Sequence, residues 1–409
     1  MTIVINAFLT FLLINSFYVV NPITSTYVVI GFCILILLLK RGFYKVKYKK
    51  EFGFLFSSVV AIYAVSLVIP ILHGTFDFNY SKNVLSMIVH LILCYVFVCY
   101  LVHESSIYSL ECFEKLFVYA FVLQTLVQLL AFTFPPFLTL VHSTYTDTQI
   151  GRIYHSYGGL RGLSLSGSPS WGLTIGYGIA FILFFKNLNS WTAVNKFLIF
   201  ILLVCGNFFA GRSGFLGLAL GLVYYLTKMP KKHLFTLSFL GSIVIFILSF
   251  MYMEKIQEVL AINKETFKFA LEAYYNYQNN GVIETRSTNI LFSMWNVQYS
   301  DFTHLFGDGY FLSPIEDSYY QHTDVGYLRT ILFGGVFFGL LVICIQGVLL
   351  LSFKSKFQRP YYVMIYIMLM IFEAKAMTVM FNKYVYIFTF VTFMLSSFEK
   401  TSIIEDHRD

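Results

Sequence analysis

The stretch Asn207-Phe-Phe-Ala-Gly-Arg-Ser-Gly-Phe-Leu-Gly-Leu218 places one arginine, Arg212, between two apolar runs near 196–210 and 213–227. Each run approaches the ~20 residues with which an α-helix crosses a ~30 Å hydrocarbon core. Comparable runs recur along the 409 residues, of which 58% are apolar and 12% charged, with a mean hydropathy of +0.72. Lipid offers no partners to unpaired backbone groups, so these runs should all be helices. The sequence therefore predicts an all-α polytopic membrane protein, with residues 1–409 forming a single integral membrane domain.

The apolar runs divide into about twelve spans on the ~20-residue criterion. They lie near 3–20, 23–39, 53–73, 84–102, 113–134, 171–185, 196–210, 213–227, 234–253, 325–350, 360–380 and 383–398. The first span lacks a basic region before it and a small-residue cleavage site after it, so we expect it to be retained.

Short basic segments between the spans predict the orientation. The segments 40–50, 228–232 and 354–359 are rich in lysine and arginine and fall on one side of the predicted membrane. By the positive-inside rule this side is cytoplasmic, and so are both termini. Because the formal charge of +7 is concentrated in these segments, it does not indicate a nucleic-acid partner.

Two long loops are then expected on the periplasmic side. The first covers residues 135–170, and the larger one, 254–324, lies late in the chain. Apolar residues at helical spacing over Ile256–Tyr277 predict that the larger loop is partly helical and lies across the membrane face. Loops of this length usually carry function, although an inert connector is the alternative.

The sequence shows no motif for a metal or a nucleotide cofactor. None of the six cysteines falls in the two long loops, and there is no CxxC, HExxH or Walker motif. We therefore expect no metal and no cofactor.

Arginines beside glycine-rich turns are the first candidate binding residues. Arg152 and Arg161 lie in the first long loop, and Arg212 with Ser213 lies at the turn between two spans. Arginine grips phosphate with two N–H groups, and a following helix N-terminus favours an anion. The alternative is that these side chains only reach toward lipid headgroups.

A second candidate group lies where the larger loop meets the next span. His322 and Asp324 are two residues apart and could form an acid–base site, and Arg329 follows about one helical turn into the span. In the alternative interpretation, Asp324 caps that helix and His322 is a solvated loop residue.

Glu373 and Lys375 form a third group, inside the predicted span 360–380. Charge at membrane depth costs roughly 2.5–3.5 kcal/mol per residue and usually marks a functional site. On a straight helix the two side chains point in different directions, so they need separate partners or an interrupted helix. A structural ion-pair network is the alternative.

Taken together, these motifs resemble the O-antigen polymerase and ligase superfamily. The resemblance rests on Gly211-Arg-Ser-Gly214, on one large late loop, and on His322-Thr-Asp-Val-Gly-Tyr-Leu-Arg329 leading into Phe333-Gly-Gly-Val-Phe-Phe-Gly339. It is closer to the polymerases (Wzy type) because of Asp324-Val-Gly-Tyr327 and the early Arg161 loop. Tyr327 joins the expected substrate-binding residues on this basis.

The resemblance implies a particular reaction. The substrates would be oligosaccharide repeat units linked through pyrophosphate to undecaprenol, at the periplasmic face of a bacterial inner membrane. The enzyme would join these units into a surface polysaccharide, in contact with membrane lipid and with a chain-length regulator protein as a further partner. An O-antigen ligase, which transfers the glycan to lipid A-core, is the first alternative. A lipid-linked oligosaccharide transporter is the second, although the sequence lacks the internal repeat common in transporters.

Overall fold

A computed structural model describes residues 2–40, 50–104, 109–157, 160–228, 276–279, 281, 285–316, 318–352 and 354–406. The α-helices, in chain order, are α1 (Thr2–Asn15), α2 (Ser25–Leu39), α3 (Lys50–Leu72), α4 (Asn79–Glu104), α5 (Leu110–Thr133), α6 (Pro135–His142), α7 (Asp147–Tyr157), α8 (Trp171–Lys186), α9 (Ala193–Ala210), α10 (Phe215–Lys228), α11 (Arg286–Trp295), α12 (Asp301–Phe306), α13 (Gly326–Leu351), α14 (Arg359–Glu373) and α15 (Lys383–Asp406). Two short strands, β1 (Tyr18–Val20) and β2 (Ile23–Thr24), pair antiparallel between α1 and α2.

Five of the described helices are long and apolar enough to cross a membrane, namely α3, α4, α5, α9 and α13. Three shorter apolar helices, α1, α2 and α8, accompany them. These helices agree with the predicted all-α, multi-pass membrane protein, while the number of twelve spans remains a prediction. The predicted span 234–253 and nearly all of the predicted helix Ile256–Tyr277 lie outside the described residues.

Contacts between side chains group the helix ends into two sets. At one end Lys375, just beyond α14, donates to Ser213, just before α10. At the other end Lys186, at the end of α8, pairs with Glu114, near the start of α5. We call the first set the arginine end, defined by Arg161, Arg212 and Lys375, and the second the lysine end, defined by Lys186, Lys354 and Lys356.

Helix α8 forms the centre of the bundle, and its residues from Gly172 to Phe185 are all buried. Its contact with α10 is close because two glycines face each other. A Cβ atom on Gly217 would lie 2.2 Å from the carbonyl oxygen of Gly178, so any larger residue would force the helices apart. Small residues allow this backbone approach in membrane bundles. The close packing brings the start of α10, and therefore Arg212, against α8.

Two predicted spans end earlier than expected. Helix α1 stops at Asn15, because the chain turns into the β1–β2 ribbon. Helix α14 stops at Glu373, so the predicted span 360–380 is wrong in its last residues. The Glu373 carboxylate accepts hydrogen bonds from the backbone N–H groups of Thr378 (2.7 Å) and Val379 (2.8 Å). These bonds hold residues 374–382 as a non-helical break before α15.

Candidate functional site

Arg212 lies in a short 3₁₀ turn, Arg212–Gly214, between α9 and α10. The turn packs closely against α8. A Cβ atom added to Gly211 would lie only 2.7 Å from the hydroxyl oxygen of Thr174. Only glycine fits this approach, which explains the glycine before the arginine. The structure therefore places Arg212 at a tight turn beside the start of α8, with its side chain half-buried.

Arg161 comes from a different part of the chain but reaches the same place. It lies in the 3₁₀ turn Leu160–Gly162, and its Nη1 donates to the hydroxyl of Ser170 at 2.9 Å. Its Nη2 is 3.8 Å from the position that a Cβ on Gly211 would take. The guanidinium of Arg161 thus lies against the turn that carries Arg212.

Lys375 reaches this turn from the break after α14. Its Nζ donates to the hydroxyl of Ser213 at 3.2 Å and lies 5.1 Å from the centre of the Trp171 ring. Burial, together with the positive charges of Arg161 and Arg212, lowers the pKa of Lys375 to about 8. Arg161, Arg212 and Lys375 therefore form one group, which we call the cation cluster.

Trp171 adds a polar donor beside the cation cluster. Its ring packs edge-on against Phe372, with the ring centres 5.3 Å apart. Its indole N–H is buried and has no hydrogen-bond partner among the described residues. Buried polar groups are usually paired, so this N–H is a candidate donor to a ligand.

Glu373 and Lys375 contact different groups. Glu373 is buried, accepts the two backbone hydrogen bonds that hold the break, and touches the start of α13 at Gly326. The interrupted helix is one of the two arrangements that their spacing predicts. These contacts give Glu373 a structural role, and its predicted contact with substrate stays a prediction.

His322 is exposed and lies at the edge of the larger loop. Its Nδ1 is 3.4 Å from the hydroxyl of Ser318, and its Nε2 is 3.8 Å from a carboxylate oxygen of Glu316. Gln321 and His322 have φ angles of 56° and 51°. L-residues rarely adopt this left-handed conformation, and strained backbone is frequent at functional sites. His322 is accessible to a ligand, as a catalytic base must be.

The alternative interpretation, in which Asp324 caps the following helix, is wrong, while its catalytic role stays a prediction. The N-cap position of α13 is Val325, and its N–H donates to the hydroxyl of Thr323 at 3.3 Å. This bond lies before the first turn of the helix, and Val325 makes no side-chain capping hydrogen bond. Asp324 instead interacts electrostatically with the guanidinium of Arg329.

Arg329 lies between two aromatic rings. Its guanidinium carbon is 4.1 Å from the ring centre of Phe311 and 3.6 Å from that of Tyr319. The residue is only 7% exposed, and its Nε and Nη2 have no hydrogen-bond partner among the described residues. Stacking on aromatic faces stabilises a desolvated guanidinium. Because Asp324 interacts electrostatically with this guanidinium, Arg329 and Asp324 belong to one group, as their spacing predicts.

Tyr327 is a predicted binding residue whose described contact lies outside the cation cluster. The hydroxyl of Tyr327 donates to the backbone carbonyl of Met370 at 2.8 Å, so its polar atom joins α13 to α14. Arg152 belongs to α7, and its side chain lies outside the described residues. Both roles remain predictions.

Asp77, between α3 and α4, is a residue that the sequence did not single out. Its Oδ2 accepts hydrogen bonds from the backbone N–H groups of Phe311 (2.7 Å) and Leu312 (2.8 Å). Nearby, the hydroxyl of Thr75 donates to the carbonyl of Gly309 at 2.8 Å. These bonds hold the loop that places Phe311 against Arg329. The pairs are 234 or 235 residues apart, and no local pattern indicates them.

Helix α11 connects the two groups of candidate residues. The indole N–H of Trp295 donates to the carbonyl of Ala374 at 3.2 Å, one residue before Lys375. Thr323 directly follows His322, and its hydroxyl donates to the carbonyl of Met294 at 3.1 Å. The His322 segment and the break that carries Lys375 therefore lie on either side of the end of α11.

Within the described part of the chain, no group of three or more His, Cys, Asp or Glu residues could hold a metal ion. No protein-family model, no curated protein and no solved structure matches this chain.

Proposed function

We propose that the protein is a polysaccharide polymerase that joins oligosaccharide repeat units linked through pyrophosphate to undecaprenol. The observation that carries the proposal is the cation cluster, since three basic side chains from separate segments meet at one end of an apolar bundle. Three positive side chains held close together create a strongly positive site, and arginine is well shaped to bind phosphate oxygens. A pyrophosphate at the membrane surface would match this arrangement.

The cation cluster would stabilise the leaving group. The acceptor hydroxyl oxygen attacks the anomeric carbon of the donor, the bond from that carbon to the pyrophosphate oxygen breaks, and undecaprenyl pyrophosphate leaves with the electron pair. Negative charge then grows on the pyrophosphate, where fixed positive groups lower the barrier. Arg161 and Arg212 would each contact phosphate oxygens with two N–H groups, and Lys375 would add a compact charge.

The proton of the acceptor hydroxyl needs a base. His322 is the first candidate because it is exposed at the loop edge, and Asp324 is the second. Tyrosines beside these residues could stack against sugar rings, and two of them, Tyr310 and Tyr320, already pack with ring centres 5.3 Å apart. The late loop would therefore hold the acceptor, while the cation cluster holds the donor pyrophosphate.

This function requires a particular placement in the cell. The arginine end would face the periplasm and the lysine end the cytoplasm of a bacterial inner membrane, with both termini cytoplasmic. A chain-length regulator would be the protein partner.

Deletion of the gene in its native host, followed by gel separation of the surface lipopolysaccharide, tests the proposal. Loss of the ladder with retention of single capped repeats is the expected result. Accumulation of polymer not attached to lipid A-core would instead indicate a ligase. Disappearance of all surface repeats, together with lipid-linked units held on the cytoplasmic face, would indicate a transporter.

A further inference from the structure

A cavity of about 770 Å³ opens at the lysine end, at the opposite end of the bundle from the cation cluster. This volume lies within the range of small-molecule sites, ~300–1,000 Å³. The walls come from the starts of α5 and α14, the end of α8 and the last turns of α10. Its polar side chains include Lys186, Asn187, Asn189, Tyr224, Lys356 and Tyr361.

A buried ion pair fixes one wall of the cavity. Lys186 pairs with Glu114, which is fully buried. The same carboxylate accepts hydrogen bonds from Asn187 at 3.2 Å and from the hydroxyl of Tyr362 at 2.7 Å. The negative charge of Glu114 is therefore matched by Lys186 and further stabilised by two neutral donors. This network holds the Lys186 ammonium and the Asn187 amide rigidly at the cavity wall.

The remaining lining groups favour an anion. Among the described residues that line the cavity, Glu111 is the only carboxylate, and it is paired with Lys115 at 2.8 Å. Lys356 is exposed at the opening, and the side-chain amides of Asn189 and Gln358 can donate hydrogen bonds. A cavity with Lys356 at its opening, the ammonium of Lys186 held by Glu114 in one wall, and several neutral donors suits a phosphate ester.

The position of the cavity indicates a lipid as the source of that phosphate. The lining residue Phe357 is 90% exposed and lies next to Lys356 in the connection between α13 and α14. Segments that combine basic residues with exposed phenylalanine are typical of the membrane–water interface. Tyr224 and Tyr361 form an aromatic wall, with ring centres 4.7 Å apart, along which the apolar part of a lipid could pack.

We propose that this cavity binds the phosphate headgroup of an anionic phospholipid. Lys356 contacts the phosphate at the opening, Lys186 and the amide of Asn189 contact it from the wall, and Phe357 lies among the acyl chains. The site would anchor the lysine end of the bundle to anionic lipid. It is independent of the polymerase reaction, because it lies at the other end of the bundle and needs no turnover.

Lipid binding to the purified full-length protein tests this proposal. The protein in detergent is titrated separately with phosphatidylglycerol, phosphatidylethanolamine and inorganic phosphate, and bound molecules are counted by native mass spectrometry. We expect preferential binding of phosphatidylglycerol. Lys356→Glu should weaken this binding on the order of tenfold, since charge reversal removes one attraction and adds a repulsion.

The matched control is Lys196→Glu, a half-buried lysine at the start of α9 that does not line the cavity. It should leave phosphatidylglycerol binding unchanged, and the melting temperatures of both variants should match that of the wild type. Equal binding of the two phospholipids, or an equal effect of the two substitutions, would overturn the proposal. Displacement of phosphatidylglycerol by millimolar inorganic phosphate would also overturn it, because the site would then take a free anion.

Discussion

The ammonium of Lys375 donates a hydrogen bond to the hydroxyl of Ser213 at 3.2 Å, although 162 residues separate them in the chain. The bond joins the break after α14 to the turn before α10. Since Arg212 precedes Ser213 and Arg161 lies against the same turn, this contact closes the cation cluster.

Arg212→Ala should lower the rate of polymerisation by about 10²–10³, the loss typical of removing one donor to a developing oxyanion. Arg212→Lys should restore it only partly, because a point charge does not replace a two-pronged contact. Polymer ladders from cells with matched protein levels measure this. Lys82→Ala is the control, since Lys82 is exposed near the start of α4 and outside the cluster. A wild-type ladder from Arg212→Ala would remove Arg212 from the mechanism.

Arg161→Ala should be about as severe, since its guanidinium lies against the Arg212 turn. Arg152→Ala should be milder. Ser170→Ala tests positioning, because Ser170 accepts a hydrogen bond from Arg161 at 2.9 Å. Removal of that acceptor should lower activity less than removal of the arginine, and Arg161→Lys should not restore full activity. If Arg152→Ala proves more damaging than Arg161→Ala, the donor site lies nearer to α7.

Lys375 should make the reaction sensitive to alkaline pH. Burial and the charges of Arg161 and Arg212 lower its pKa to about 8, so the side chain is charged below this pH and neutral above it. Arginines keep their charge throughout this range. The value of kcat/KM, which reports groups of the free enzyme, should therefore fall above pH 8.

Lys375→Arg keeps a positive charge at alkaline pH and should remove this fall, whatever its effect on the maximal rate. Lys375→Met should lower kcat/KM at neutral pH and flatten the same part of the profile. An unchanged alkaline fall in Lys375→Arg would show that another group titrates.

His322→Ala should lower the rate by about 10²–10⁴ if the imidazole removes the acceptor proton. Asp324→Asn should lose less, because its amide keeps a similar shape near Arg329 while losing the charge. An assay with purified protein and lipid-linked repeat units separates the two. If both variants react at the wild-type rate, neither residue is the base. The base then lies elsewhere, or the enzyme accelerates the reaction only by stabilising the leaving group.

The orientation can be tested with single cysteines in a variant that lacks the six native ones. Thr148→Cys and Gln298→Cys are exposed positions at the arginine end, and Lys356→Cys is an exposed position at the lysine end. An impermeant thiol reagent should label the first two in intact spheroplasts and the third only after the membrane is opened. Labelling in the reverse order would contradict the proposed function, since the cation cluster would then face the cytoplasm.

The sequence predicts the features that depend on local pattern. The Gly211-Arg-Ser-Gly214 turn lies between two helices because apolar runs flank it and glycine alone fits against Thr174. The spacing of Glu373 and Lys375 also predicts an interrupted helix as one alternative. In both cases, the residues that determine the local structure are close together in the chain.

Long-range contacts could not be predicted in this way. Asp77 is a lone carboxylate shortly before α4, and its bonds to Phe311 and Leu312 depend on how the whole bundle brings two loops together. The start of α13 also depends on the fold, because Val325 is its N-cap residue and Asp324 interacts with the guanidinium of Arg329.

The most direct test of the central claim is a reaction of the purified protein with defined undecaprenyl-pyrophosphate-linked repeat units. Polymer length and released undecaprenyl pyrophosphate are measured together. The wild type should release one undecaprenyl pyrophosphate for each new glycosidic bond, and Arg212→Ala should release almost none while remaining folded. Polymerisation at the wild-type rate by a variant lacking all three cations, Arg161→Ala with Arg212→Ala and Lys375→Met, would contradict the account.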